Sequence, residues 1–233
     1  MEATSHSAAA LRRTVSLVCG LLDQQVPAVE TAALTETDLR FELVSCLLGS
    51  QVRAESANAA AERLQAAGLL TDERWRKDDD AFENDVRCVL VNAGATEPSS
   101  SYRFPALRAH QLARVRARCH SRPLLDCLGG ARDSNAARRA LVDELPGIGP
   151  KQASMFLRNV GASFDLAILD VHVLRFLRLI EVLPDQPIRV AVLDGYERVE
   201  AVVRRYAESV GRAVGYLDWA IWITMRAARE VRT

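Results

Sequence analysis

The chain has 233 residues, 49% of them hydrophobic, and its 30 basic and 30 acidic side chains leave a formal net charge of +0. This is the composition of a soluble globular protein able to build one large or two small cores. Zero net charge argues against indiscriminate nucleic-acid binding, and no run approaches the roughly 20 apolar residues of a membrane span.

Taken in chain order, the periodic segments are nearly all helical. Leu11 to Gln24 comes first; Thr35 or Thr37 can then cap a helix running to Leu48. Glu55 to Ala67 is alanine-rich and ends at Gly68, and Asp78 to Asn92 ends near Gly94, with Asp78-Asp79-Asp80 as its expected acidic first turn. Glu97-Pro98-Ser99-Ser100-Ser101 reads as a loop before a helix from Pro105 to Cys119. From Tyr102 to Arg122 stand Arg103, Arg108, Arg114, Arg116, Arg118 and Arg122 with no acid, so this helix could line a phosphate-tracking face or be a solvated basic helix paired with acidic neighbours. Gly129-Gly130 reads as a loop, followed by helices over Ser134 to Glu144, Lys151 to Val160, Asp170 to Ile180, Ile188 to Ser209 and Tyr216 to Val231. No alternating run suggests a strand, so the expected class is all-α. The N-terminus has no secretory signal pattern, and the five cysteines form no C-x-x-C pair and read as reduced thiols. The expected location is therefore intracellular, in the cytoplasm or on the nucleoid.

The densest chemical signal lies between Leu145 and Arg175. In Leu145-Pro146-Gly147-Ile148-Gly149-Pro150-Lys151 the glycines permit positive φ and close approach, and Pro150 suits a first helical position. Exposed amides and the positive end of the following helix make an anion site suited to a phosphate. A plain helix-helix turn is the alternative. Along the next helix Ala153, Phe156, Leu157 and Val160 gather on one face, with Lys151 and Arg158 opposite. Lys151 is thus a candidate amine nucleophile or a solvated surface lysine, in a chain whose only other lysine is Lys77. Asp170 reads as an N-cap, yet it follows the apolar run Leu166-Ala167-Ile168-Leu169, so the cap is approached through a buried segment and its carboxylate could face a reacting cation. A glycine hairpin, a lysine and a lone downstream carboxylate together are what amine catalysis on DNA requires.

These residues resemble the helix-hairpin-helix DNA glycosylases, and within them the archaeal-type branch of 8-oxoguanine DNA glycosylase/lyases. The phrases Phe156-Leu157-Arg158-Asn159-Val160-Gly161, Ala167-Ile168-Leu169-Asp170 and His172 carry the likeness. The resemblance implies that Lys151 attacks the sugar C1′ and expels the base, that Asp170 activates it and stabilises the cationic sugar, and that β-elimination follows from the imine. It places His172 near a DNA phosphate and implies DNA contacts from Gly147, Ile148, Gly149 and Arg158. Leu47-Leu48-Gly49-Ser50-Gln51 resembles the family's Leu-x-x-Gln segment, making Gln51 either the plug that fills the space left by the extruded base or an ordinary residue after a helix C-terminus. Leu217 to Trp222 resembles a segment supplying an aromatic face for the flipped base, with Trp222 favoured over Trp219.

The fold so implied has two helical lobes with a cleft between them. A middle lobe over 36–163 ends in the helix-hairpin-helix, and 1–35 with 164–233 forms the second, so that Lys151 and Asp170 meet across the cleft. The expected partner is duplex DNA with a damaged or modified base, bound by a monomer with no membrane association. No organic cofactor, catalytic metal or iron-sulfur cluster is expected, since the last cysteine, Cys127, precedes the hairpin; a monovalent cation at the hairpin fits the family. The chain departs from the branch by ending Glu230-Val231-Arg232-Thr233 where relatives end in lysine, which bears on the identity of the base. The same chemistry on another modified base, a non-catalytic helix-hairpin-helix module and an all-helical interaction protein are the alternatives.

Overall fold

The computed structural model describes residues 2–25, 33–77, 81–92, 102–120, 123–129, 133–186 and 188–230. The expectations for Asp78-Asp79-Asp80, Gly94, Glu97-Pro98-Ser99-Ser100-Ser101, Arg122, Gly130 and the terminus Val231-Arg232-Thr233 lie outside these residues. Among the described residues every regular element is helical: α1 (Glu2–Gln25), α2 (Glu36–Leu48), α3 (Ala54–Ala66), α4 (Asp72–Arg76), α5 (Ala81–Asn92), α6 (Pro105–Cys119), α7 (Leu124–Gly129), α8 (Ser134–Glu144), α9 (Pro150–Asn159), α10 (Val171–Leu179), α11 (Leu193–Ser209) and α12 (Val214–Glu230). None is long and apolar enough to cross a membrane. The chain divides into two compact units, Met1–Val29 with Ser163–Thr233, and Glu30–Ala162.

In the middle unit, α2 is the central helix, packed by α3, α6, α7 and α9. Its Leu39, Leu43, Val44, Leu47 and Leu48 are fully buried, which explains why a helix this apolar shows no polar face. A capping box starts it: Asp38 N donates to Thr35 Oγ1 at 3.2 Å and Thr35 N to Asp38 Oδ2 at 2.9 Å. Such a cap stabilises by about 1 kcal/mol. Glu36 in the same turn accepts from Leu124 N at 3.2 Å and Leu125 N at 2.8 Å, so a side chain of α2 caps the six-residue α7. In the terminal unit, α12 packs against α1, α10 and α11 around Val15, Phe176, Leu177, Tyr196, Val203 and Ile221.

The structure corrects the sequence reading at several points. Helices α4 and α7 were not anticipated, being too short for a period to show, and Gly129 closes α7 instead of lying in a loop. Helix α1 starts at Glu2, before the periodic segment. Helix α11 starts at Leu193 rather than Ile188, because the chain before it folds back over its first turn: a Cβ at Gly195 would lie 2.0 Å from the Arg189 carbonyl oxygen. Only glycine admits so close a backbone.

Candidate active site

The hairpin joins α8 to α9 in the middle unit. Leu145 and Ile148 anchor it by burying their side chains, and Ile148 N donates to Leu145 O at 3.2 Å. Gly147 sits exposed at the tip with φ +86, a left-handed conformation that a Cβ penalises. Gly149 is the N-cap of α9 and supplies no side-chain cap, so the first-turn amides of a ten-residue helix are left for water or an anion. Ile148 is 4% exposed, so only its backbone is available to a ligand.

Helix α9 buries Ala153, Ser154, Phe156 and Leu157 against the unit's core and leaves Lys151 and Arg158 half-buried on the other side. No carboxylate among the described residues of its unit lies within ion-pair distance of Lys151. The neighbouring thiol, Cys46 on α2, is pushed well above its ordinary pKa by burial and by Glu42, and Lys151 and Arg158 only partly offset this. A protonated, buried thiol is no competing nucleophile. Asn159 Nδ2 donates to Glu42 Oε1 at 2.7 Å, which ties the end of α9 to α2.

In the terminal unit, Asp170 is the N-cap of α10, and both amides it caps go to one oxygen: His172 N at 2.9 Å and Val173 N at 2.8 Å donate to Oδ1. Oδ2 has no partner among the described residues of the unit. The apolar approach segment is buried throughout, from Leu166 to Leu169. Buried extended backbone needs partners, and side chains supply them. Ala167 N donates to Glu200 Oε1 at 2.8 Å, Ile168 N to Asp218 Oδ2 at 2.6 Å, and Leu169 N to the Tyr196 hydroxyl at 3.0 Å, which donates to Ala167 O at 2.7 Å. Glu200 and Asp218 are 2% and 1% exposed, so each is a buried carboxylate anchored in α11 or α12 that serves this segment, and Glu200 Oε2 also accepts from Arg204 at 3.4 Å. Sequence reasoning missed all three residues. Their signal was a polar group at a core-facing helical position: Glu200 falls between Tyr196 and Val203, and Asp218 between Val214 and Ile221.

The remaining candidates divide between the units. Gln51 is exposed in the turn between α2 and α3 at φ +64, a conformation costly for a residue with a Cβ; Glu181, just past α10, takes the same conformation at φ +62, so this geometry fits a plug and an ordinary residue after a helix C-terminus alike. His172 is half-buried in the first turn of α10. Trp219 and Trp222 are both partly exposed on α12, so neither is simply core, and the Arg226 guanidinium stacks over the Trp222 ring at 5.1 Å.

The basic helix α6 is a correction. Arg108 and Arg116 are buried: Arg116 donates to Lys77 O at 2.6 Å and lies 4.3 Å over the Phe82 ring, and Arg108 donates to Gln111 and Ser50. Exposed His110 meets Glu83 at 3.2 Å. Of the five described arginines between Tyr102 and His120, Arg103, Arg114 and Arg118 remain exposed for a phosphate.

Comparison with known proteins agrees with the motif. The family described as 8-oxoguanine DNA glycosylase matches residues 28–212. An 8-oxoguanine DNA glycosylase/AP lyase of Saccharolobus solfataricus is 34% identical over 148 residues, an alignment spanning 61% of this chain and 65% of the relative. One from Saccharolobus islandicus is 33% identical over 187 residues, 78% of this chain and 79% of that protein. The crystal structure of the Thermotoga maritima 8-oxoguanine DNA glycosylase superposes with a TM-score of 0.72 at 27% identity, covering 94% of this chain and 95% of the other.

Proposed function

The chain belongs to the 8-oxoguanine DNA glycosylase family, and from that premise we propose that it excises 8-oxoguanine from duplex DNA and cleaves the resulting abasic site with Lys151 as nucleophile. The observation that carries this is the α9 entry: an uncapped helix start preceded by an exposed positive-φ glycine, with a half-buried lysine that has no ion-pair partner in its unit one residue beyond Pro150. The hairpin amides bind a phosphate of the damaged strand. The neutral Lys151 Nζ attacks C1′, the bond from C1′ to the base nitrogen breaks, and its electron pair leaves with the base, which is then protonated. Asp170 activates the amine and stabilises the positive charge on the sugar through Oδ2, which has no partner among the described residues of its unit, while Oδ1 remains committed to the cap. The ring opens to an imine between lysine and sugar. Loss of a proton from C2′ and departure of the 3′-phosphate cut the strand, and water releases the lysine.

Gln51 fills the space of the extruded base, Trp222 stacks on the base, and His172 and Arg158 contact phosphates. Among the described residues the carbonyls of Pro146 and Gly147 accept no backbone hydrogen bond, which suits a monovalent cation bridging the hairpin to a phosphate. The test is product analysis on duplexes carrying 8-oxoguanine or guanine at one position. Free 8-oxoguanine with a β-eliminated strand end, from the damaged duplex alone, supports the proposal. Binding without release of any base would leave a DNA-binding module and refute it.

A further inference from the structure

Arg108 is 5% exposed, yet no carboxylate among the described residues lies within ion-pair distance of it. Its two terminal nitrogens divide their work. Nη2 donates to Ser50 O at 2.9 Å, immediately before Gln51, and Nη1 donates to the Gln111 side-chain oxygen at 2.6 Å. Gln111 in turn abuts the hairpin tip: a Cβ on Gly147 would fall 2.6–2.9 Å from its amide atoms. Beside Ser50, the Tyr102 hydroxyl donates to Leu48 O at 2.6 Å. The turn leaving α2 is thus held twice, by Tyr102 at the last helical carbonyl and by the buried guanidinium at Ser50 O, near the end of a helix dipole that favours a cation. A left-handed Gln51 and a left-handed Gly147 are the two ends of this connection.

We propose that Arg108, acting through Gln111, is a positioning residue for base extrusion: its fork fixes the Gln51 turn to the hairpin, so that capture of the phosphate and insertion of Gln51 occur in one docking geometry. The inference rests on the assignment of the hairpin and Gln51 as DNA contacts. Only a planar fork serves both acceptors at once; a lysine preserves the charge but cannot span them.

The experiment uses the full chain and an 8-oxoguanine duplex with 2-aminopurine beside the lesion, whose fluorescence rises when the stack opens. Gln51→Ala, Arg108→Met, Arg108→Lys and the Gln51→Ala/Arg108→Met pair are compared for fluorescence rise, single-turnover excision, borohydride trapping at a pre-formed abasic site, and thermal unfolding. Both Arg108 variants should lower the fluorescence rise and the excision rate about tenfold or more, as Gln51→Ala does. Abasic-site trapping, which needs no extrusion, should stay within about twofold, and the double variant should be no worse than Gln51→Ala within the same margin. If Arg108→Met fails to fold, Arg108→Lys carries the comparison. Losses that multiply in the double variant, full activity with lysine, or trapping that falls in step with excision would each overturn the proposal. Gln51→Ala impaired with intact Arg108 variants would sink this brace alone, whereas a silent Gln51→Ala would remove the assignment beneath it and the brace with it.

Discussion

Asp218→Ala tests whether a buried carboxylate far along the sequence holds the Asp170 segment. Asp218 is 1% exposed and accepts from Ile168 N at 2.6 Å, two residues before Asp170. Removing it strands a buried amide and deletes a hydrogen bond to a charged acceptor, which together cost about 2–3 kcal/mol. For a chain of this size that lowers the unfolding midpoint by roughly 5–10 °C. Asp218→Asn keeps an oxygen acceptor and should cost about 1 kcal/mol. Misplacing a reacting group by about 1 Å can cost on the order of a hundredfold, so excision in Asp218→Ala should fall far more than borohydride trapping at a pre-formed abasic site, where the base is already gone. The assays are thermal unfolding and single-turnover excision run in parallel with trapping. An Asp218→Ala protein with an unchanged midpoint and unchanged excision would refute the reasoning. Excision and trapping falling equally would contradict a role of this segment in stabilising the sugar cation, the step that only excision includes.

Gln51→Gly relieves a left-handed Cβ penalty of about 1–2 kcal/mol and pays back roughly 0.5–1 kcal/mol in unfolded-state entropy, so the midpoint should hold or rise while excision drops; a stable variant with full excision would contradict the plug role. Gly147→Ala places a Cβ at φ +86 and against Gln111, and should cost about 1–2 kcal/mol and weaken duplex affinity, measured by unfolding and by titration of labelled duplex. Hydrogen bonds from Thr35 hold the Asp38 carboxyl below its ordinary pKa, and a hydrogen bond from Arg40 does the same for Asp72. Groups lowered in the folded state stabilise it above their unfolded pKa and lose that contribution as pH falls through the folded one. Stability should therefore decline from about pH 4 downward, modestly because both groups are solvent-screened, and Thr35→Ala should flatten part of that limb in a series of urea titrations.

Local chemistry explains which parts of the fold could be read in the residues. Thr35 and Asp170 announce helix starts because each side chain satisfies amides of the turn it precedes. Pro105 and Pro150 do so by lacking an amide the first turn does not need. The core face of α9 follows from its period, which by itself separates Lys151 from that face. What escaped depends on contacts distant in sequence. Helix α7 exists in part because Glu36 of α2 caps it, and the start of α11 is fixed by the close approach of Arg189 to Gly195. The arginines of α6 were counted as charge, although Arg108 shares a helical face with Leu112 and Val115, which should have marked it as turned inward. Glu200 and Asp218 escape for the same reason: they are carboxylates at core-facing positions that accept from backbone amides of a segment without regular structure.

The central claim is that Lys151 forms the covalent bond to the damaged strand. Its most direct test is borohydride trapping on an 8-oxoguanine duplex followed by peptide mapping, in a chain with only Lys77 and Lys151 as lysines. The account predicts a crosslink on the peptide containing Lys151, absent in a folded, DNA-binding Lys151→Gln variant. A crosslink that survives Lys151→Gln, or one that maps to Lys77, would contradict it.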